Sequence, residues 1–385
     1  MEDQFLAHYE PLLGQMTWRL SSMIETETPT SEKASVDRFG AWLATWAAEQ
    51  GADVKIHHHS VVGDFVECRF NPLVEEKPIL ICLHMDTVHP LGSIEKRPTR
   101  VEEDVLYGVG AYDMKASFAI VQTVMEELTT LGMMPNRPIT LLFTSDEEIG
   151  SPYSRPLIES LSQEACLVLV MEFCNYQEAI VTARKGVGIF QVTGLGRESH
   201  SGTAPQDGIN AIVEVTHHID DFLTLSNHEL GTLVTPAIIR GGTRHNVIPG
   251  ECDLVLNVRV KYKREAQRVM DALETITEGQ SYLQDAELIL TGDYMRPPME
   301  RDEIMEKTIR QLQTIVTTVY GEDSRGGGSD GSFSAALGIP TLDGLGASGE
   351  GAHATHEQVY LPSMPRRAAL LSTILCCWER TLIKS

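Results

Sequence analysis

The sequence predicts an α/β fold: a mostly parallel sheet with helices on both faces, plus an inserted α+β ferredoxin-like domain. Three observations carry this. Residues 78–83 (PILICL), 139–144 (ITLLFT) and 166–171 (CLVLVM) are short apolar runs without polar alternation. Strands apolar on both faces belong to a parallel sheet covered on both sides. Helical patterns lie between these runs, and strand–helix alternation builds a parallel sheet through crossover connections. From Lys185 the pattern changes to strand 187–194, helix 206–224, strands 232–240 and 251–261, helix 263–278 and strand 286–293. That β-α-β-β-α-β order is the split arrangement of an independent small domain.

The chain divides accordingly into 1–184, an insertion at 185–296, and 297–385, where the first pattern resumes. A length of 385 residues with 42% hydrophobic content supports a sizeable core. The net charge of -23 argues against nucleic acid as a partner, because phosphate binding needs a surplus of Lys and Arg. No apolar run approaches the roughly 18 residues of a membrane span. Residues 1–15 lack the basic-then-apolar order of a signal peptide. The seven cysteines are odd in number and form no C-x-x-C. They read as free thiols in a reducing compartment, so a cytoplasmic location is expected.

In chain order, helices are expected at 8–25 and 31–50, separated by Thr28-Pro29-Thr30-Ser31. Val36, Phe39, Trp42, Leu43 and Trp46 recur at helical spacing, and Gly51 stops the pattern. Strands follow near 53–58 and 64–70. His57-His58-His59 lies in an alternating, half-exposed stretch and reads as a solvated face. Residues 106–115 (LYGVGAYDMK) form a glycine-rich loop that delivers Asp113 just before helix 116–131. After the insertion come helix 300–320, the loop 326–330 (GGGSD), helix 331–337 and strand 339–342. The loop 344–351 then delivers His353, and a last helix spans 363–380.

The three apolar strands end in His84 and Asp86, in Glu147 and Glu148, and in Glu172. In a parallel sheet these ends meet on one edge, where ligands bind. His84 and Asp86 share a side at period two. Asp86 is therefore placed to accept from one imidazole nitrogen while the other binds a metal. Each acid alone reads as a solvated loop residue. Several acids and histidines converging imply a cation, because an uncompensated carboxylate cluster repels itself. The candidate ligands are His84, Asp113, Glu148, Glu172 and His353. Nitrogen and oxygen donors without thiolate suit zinc, with cobalt or manganese as alternatives. Five ligands exceed one tetrahedral site and suit two ions sharing a carboxylate, for which Asp113 on its pinched loop is the candidate. Glu147 is left over as the general base.

The stretches HMDTV (84–88), YGVGAYDMK (107–115), FTSDEEIGS (143–151), the Glu172 strand end and GAHATHE (351–357) resemble the co-catalytic zinc aminoacylase and carboxypeptidase family. That family includes acetylornithine deacetylase, succinyl-diaminopimelate desuccinylase and the bacterial glutamate carboxypeptidases. The resemblance runs in order from about residue 35 to 365, and is nearest to the glutamate carboxypeptidase branch through FTSDEEIGS, MRPPM (295–299) and GGGSD. It implies that His84 holds one metal and His353 the other, that Asp113 bridges, and that Glu148 and Glu172 complete the sites. Glu147 is then the base, and Asp86 orients His84. His356 stands where the family often has Asp or Asn, and is not chosen as a ligand. In SHSGTAPQDGINAI, His200 matches the histidine that polarises the substrate carbonyl from a partner subunit. Ser201 replaces the family's common Ala there, a change of no catalytic consequence. Asn246, Arg259 and Arg296 match positions that hold the substrate's free carboxylate, which Arg suits by bidentate binding. Gly327 and Gly328 match a close backbone approach to the same group.

The expected function is hydrolysis of an amide bond to an amino acid with a free α-carboxylate, glutamate foremost, by water attack at two zinc ions. N-acyl amino acid deacylation is the first alternative; a non-catalytic metal- or ligand-binding relative is the other class. A homodimer through the insertion is expected from the edge of its sheet, and domain closure about 183–187 and 293–298 is implied by the split of functional residues.

Overall fold

The central strand, Ile79–His84, is buried at every position, as its apolar run demands. It pairs in parallel with Ile139–Thr144 on one side and Leu167–Val170 on the other. Thr341–Leu342 continues the parallel order beyond Leu167–Val170. Phe65–Phe70 and Asp53–His57 complete six strands at the opposite edge, each antiparallel to the strand before it in the sheet.

Side chains alternate across a strand, so both faces must be covered. On one face Leu80, Cys82, Leu142, Val168 and Val170 pack with Ile158 and Leu161 of helix Arg155–Glu164 and Phe333 of helix Gly331–Ala336. On the other, Phe143 meets Phe118 of helix Ala116–Thr130 with ring centroids 5.4 Å apart. Phe118 in turn meets Phe39 of helix Lys33–Glu49 at 5.4 Å. Parallel register brings the strand ends level: His84 lies opposite Thr144, and Cys82 opposite Val170. The polar residues that follow therefore emerge together on one edge.

The structure is a computed structural model that describes residues 1–378. These fall into two units: Met1–Thr182, Arg301–Ser324 and the described residues from Ser329 form one, Ala183–Glu300 with Arg325–Gly328 the other. The second unit thus runs slightly beyond 185–296 and takes in the glycines of 326–328.

Several element bounds differ from expectation. The first helix begins at Glu2 and ends at Tyr9, and Leu13–Ile24 follows after a turn containing Pro11, whose missing N–H breaks the run. The expected helix 206–224 is Ala211–His217 and Ile219–Thr224, the former capped by the Asn210 side chain accepting from the N–H of Ile212 and Val213. The expected 300–320 is Glu303–Ile315, capped by Asp302. The last helix is Ser363–Cys377; positions 379–380 of the expected span lie outside the described residues. A further sheet, not expected, joins Gly349–Glu350, Gln358–Tyr360, Val105–Tyr107 and Arg100–Glu102. Strands of two or three residues carry no readable period.

The second unit holds a four-stranded antiparallel sheet in the order Leu233–Gly241, Glu251–Val260, Gly186–Leu195, Glu287–Arg296. One face is covered: Phe190, Val192, Leu254, Leu256 and Val258 pack on Val215, Phe222, Val269 and Leu273. No helix among the described residues is long and apolar enough to cross a membrane.

Candidate metal centre

His84 closes the central strand with both ring nitrogens engaged. Nε2 lies 2.9 Å from Asp113 Oδ1 and 3.5 Å from Glu172 Oε1. Nδ1 lies 2.9 Å from the Asp86 carbonyl oxygen and 3.5 Å from its Oδ1. The backbone carbonyl, more than the expected carboxylate, is the acceptor that leaves Nε2 for a metal. The Asp86 carboxylate, fully buried, accepts from Thr30 Oγ1 at 2.8 Å and from the N–H groups of Glu147 and Glu148, each at 3.2 Å. It pins the turn that carries both glutamates.

Asp113 lies on the turn Ala111–Lys115, and its peptide bond to Met114 is cis. Gly110 before it has φ +66°, and a β-carbon there would meet Thr87 Cγ2 at 2.6 Å, so only glycine fits. While Oδ1 faces His84, Oδ2 lies 3.1 Å from His353 Nε2. The carboxylate thereby joins two donor groups, His84–Asp113–Glu172 and Asp113–Glu148–His353, within each of which the ligand atoms lie within 4.8 Å of one another. All five expected ligands are in these groups; His356 is in neither. His353 has φ +65°, a left-handed conformation that costs a side-chain-bearing residue roughly 1–2 kcal/mol and is held by its surroundings.

Burial works to lower His84, yet Asp113, Asp86 and Glu172 raise it well above its ordinary value. Hydrogen bonds to Asp113 and Glu148 draw His353 up to about 10. Burial works to raise Asp113, but His353 and His84 hold it well below the usual carboxylate range. Glu148 is pushed up to about 7, by burial first and then by the charge of Asp113. Its Oε2 lies 3.1 Å from His353 Nε2, while Oε1 is buried with no hydrogen-bond partner. Asp86, Asp113, Glu148 and Glu172 share this small volume, and among the described residues their compensation comes from the charge on His84 and His353. Divalent cations fit better: they satisfy the orphaned oxygen, neutralise the carboxylates and release the imidazole protons. Glu147 sits half-buried on the short helical turn Glu147–Ile149, beside Glu148 and outside both donor groups.

Glu357, four residues after His353 in the stretch GAHATHE, is a residue to which the sequence assigns no role. It is buried, and its carboxylate accepts from the N–H of Gly110, Tyr112 and Asp113 at 2.9, 2.9 and 3.0 Å. Conversely, His57 and His58 have the local partners Glu67 and Asp64, and His59 Nδ1 accepts from the N–H of Val61 and Val62. None of the three joins a donor group.

The remaining candidates belong to the second unit. Strand pairing sets His200 opposite Val247, and Ser201 N–H donates to the Asn246 carbonyl at 3.0 Å. His200 Nδ1 accepts from the N–H of Gly202 and Thr203, both at 3.1 Å, so the neutral ring carries its proton on Nε2. Arg259 and Arg296 lie on opposite neighbours of one strand, each paired with Val187, which sets both at one level of the sheet. Arg259 donates to Asn257 Oδ1 at 3.1 Å, and burial lowers its guanidinium from the ordinary value. Gly328 packs against the stem of the buried Arg296, leaving no room for a β-carbon; Gly327 has open space at that position.

The model of peptidase family M20/M25/M40 matches residues 80–376. Carboxypeptidase G2 of Pseudomonas sp. (strain RS-16) is 28% identical over 364 residues, covering 92% of this chain and 87% of that protein. Succinyl-diaminopimelate desuccinylase 2 of Shewanella loihica is 23% identical over 358 residues, covering 87% and 93%. Among solved structures, a tripeptidase from Staphylococcus aureus superposes with a TM-score of 0.76 at 20% identity over 96% of this chain and 99% of that one. A dinuclear metal-binding peptidase from Bacillus subtilis gives 0.67 at 15% identity, over 97% and 100%.

Proposed function

The chain belongs to peptidase family M20/M25/M40, metal-dependent hydrolases of amide bonds, and from that premise we propose that it is a two-zinc carboxypeptidase. It releases a C-terminal amino acid, glutamate foremost, from peptidyl or N-acyl substrates. One observation carries the reading: Asp113 offers one oxygen to each of two donor groups, while Glu147, adjacent to the donor Glu148, belongs to neither.

His84 and Glu172 would hold one zinc ion, Glu148 and His353 the other, with Asp113 between them. Bound there, the ions supply Lewis acidity for the scissile carbonyl and for the attacking water. Glu147 takes the proton of that water and returns it to the leaving nitrogen. Asp86, fixing the N–H groups of Glu147 and Glu148, keeps base and ligand in one orientation. His200, with its proton on Nε2, is suited to donate to the oxyanion. Arg259 and Arg296 bind the free α-carboxylate, with Asn246 and the Gly327–Gly328 backbone as further donors. The reading includes a homodimer through the second unit, whose sheet keeps Leu233–Gly241 and Glu287–Arg296 as edge strands.

The test is amino-acid release from a panel of peptidyl and N-acyl amino acids by zinc-loaded protein. Faster release of glutamate from acyl-glutamates than of any other residue supports the carboxypeptidase reading. Similarity to a succinyl-diaminopimelate desuccinylase favours one second reading, N-acyl amino acid deacylation. Preference for succinylated or acetylated diamino acids would select it, and no turnover of any member by protein holding two metals would remove both.

A further inference from the structure

Building on the reading of Asp113 and His353 as ligands, we propose that Arg97, His89 and Glu357 form a positioning relay that aims Asp113 and steadies the His353 loop. Arg97 donates from Nη2 to His89 Nδ1 at 3.2 Å and from Nη1 to the carbonyl of Ala354 at 3.2 Å. A guanidinium has donors only, so His89 Nδ1 must present its lone pair. The proton of the neutral ring is then on Nε2, which lies 2.7 Å from Glu357 Oε2 and donates to it. Oε2 accepts also from Gly110 N–H, and Oε1 from the N–H of Tyr112 and Asp113.

Every group aimed at Glu357 is thus a donor, and both oxygens are used. Only a carboxylate meets that demand; an amide would turn a donor toward donors. The turn at Gly110–Asp113, with glycine at φ +66°, is closed by its own bond from Lys115 N–H to the Gly110 carbonyl at 3.0 Å, while the N–H groups of Gly110, Tyr112 and Asp113 go to Glu357. Glu357 dictates where its N–H groups point, and with them where the Asp113 side chain begins. Through its second branch Arg97 holds the carbonyl that follows His353. One guanidinium therefore serves two of the three segments that supply the second donor group, the His353 loop directly and the Asp113 turn through His89 and Glu357. Buried at 2% and 7% exposure, Glu357 and His89 are shielded from the water that would otherwise compete for these bonds.

The relay is tested with Glu357→Gln and His89→Ala, read by Co2+ titration against a competing chelator at 25 °C, the Co2+ absorption spectrum, and the melting temperature of the metal-free protein. Supporting groups around ligands typically change metal affinity about 10–100-fold. Both variants are expected to lose Co2+ affinity on that scale and to shift the spectrum, with kcat falling more than KM rises. Arg97→Met should show the same loss in smaller measure, and stands in if Glu357→Gln does not fold. Lower melting temperature with unchanged Co2+ affinity and spectrum would mean a merely structural role and overturn the relay. Wild-type protein that fails to bind two Co2+ ions would instead sink the ligand reading beneath it.

Discussion

Asp113 is the residue on which two donor groups depend. Its oxygens lie 2.9 Å from His84 and 3.1 Å from His353, so its loss strips a ligand from each group at once. Asp113→Ala is expected to drop bound metal from about two ions per chain to less than one, with turnover reduced at least about 10³-fold, more than any ligand serving one ion. Elemental analysis after desalting checks this, and retention of both ions would refute the shared role. The places of His84, Glu148 and Glu172 in the donor groups were legible in the sequence because each lies at the end of an apolar strand or within four residues of it, and the strand fixes where it emerges. Asp113 and His353 were legible through glycine loops. Glu357 and His89 were not, because their work is done on backbone N–H groups and on each other across 244 to 268 positions of chain, where no local spacing records it.

At the scale of elements, the N-terminal helix Glu2–Tyr9 shows how one carboxylate anchors a segment. Glu2 accepts from the N–H of Thr317 at 2.6 Å and of Thr318 at 2.9 Å, and from Tyr320 OH. Burial works to raise Glu2, but the bonds from Tyr320, Thr318 and Thr317 outweigh it and hold the carboxyl below its ordinary value. A depressed folded value means the stabilisation is complete above the unfolded pKa and is lost as pH falls through the folded one. Glu2→Gln should cost about 1–2 kcal/mol at pH 7 in urea unfolding, narrowing as the pH drops below about 4. An equal gap at both pH values would refute the ionised anchor. The buried parallel strands and the alternating strands of the second unit were readable, because burial on two faces and on one face leave different periods. The short strands around Gln358–Tyr360 were not, and the helix break near Pro11 was passed over as continuous pattern.

At the scale of the molecule, parallel order gathers strand ends from distant parts of the chain onto one edge, and the acids gathered there suit cations. The second unit carries its own row of Arg259 and Arg296 about Val187, a feature that sheet register alone produces. The sequence named both arginines, though their common level required the register. The central claim is that Glu147 moves protons while others hold the metals, and one variant separates these duties. Turnover of an N-acyl-glutamate by zinc-loaded Glu147→Gln should fall about 10²–10⁴-fold with two zinc ions still bound. Wild-type turnover at full metal content would contradict the account, placing the base elsewhere.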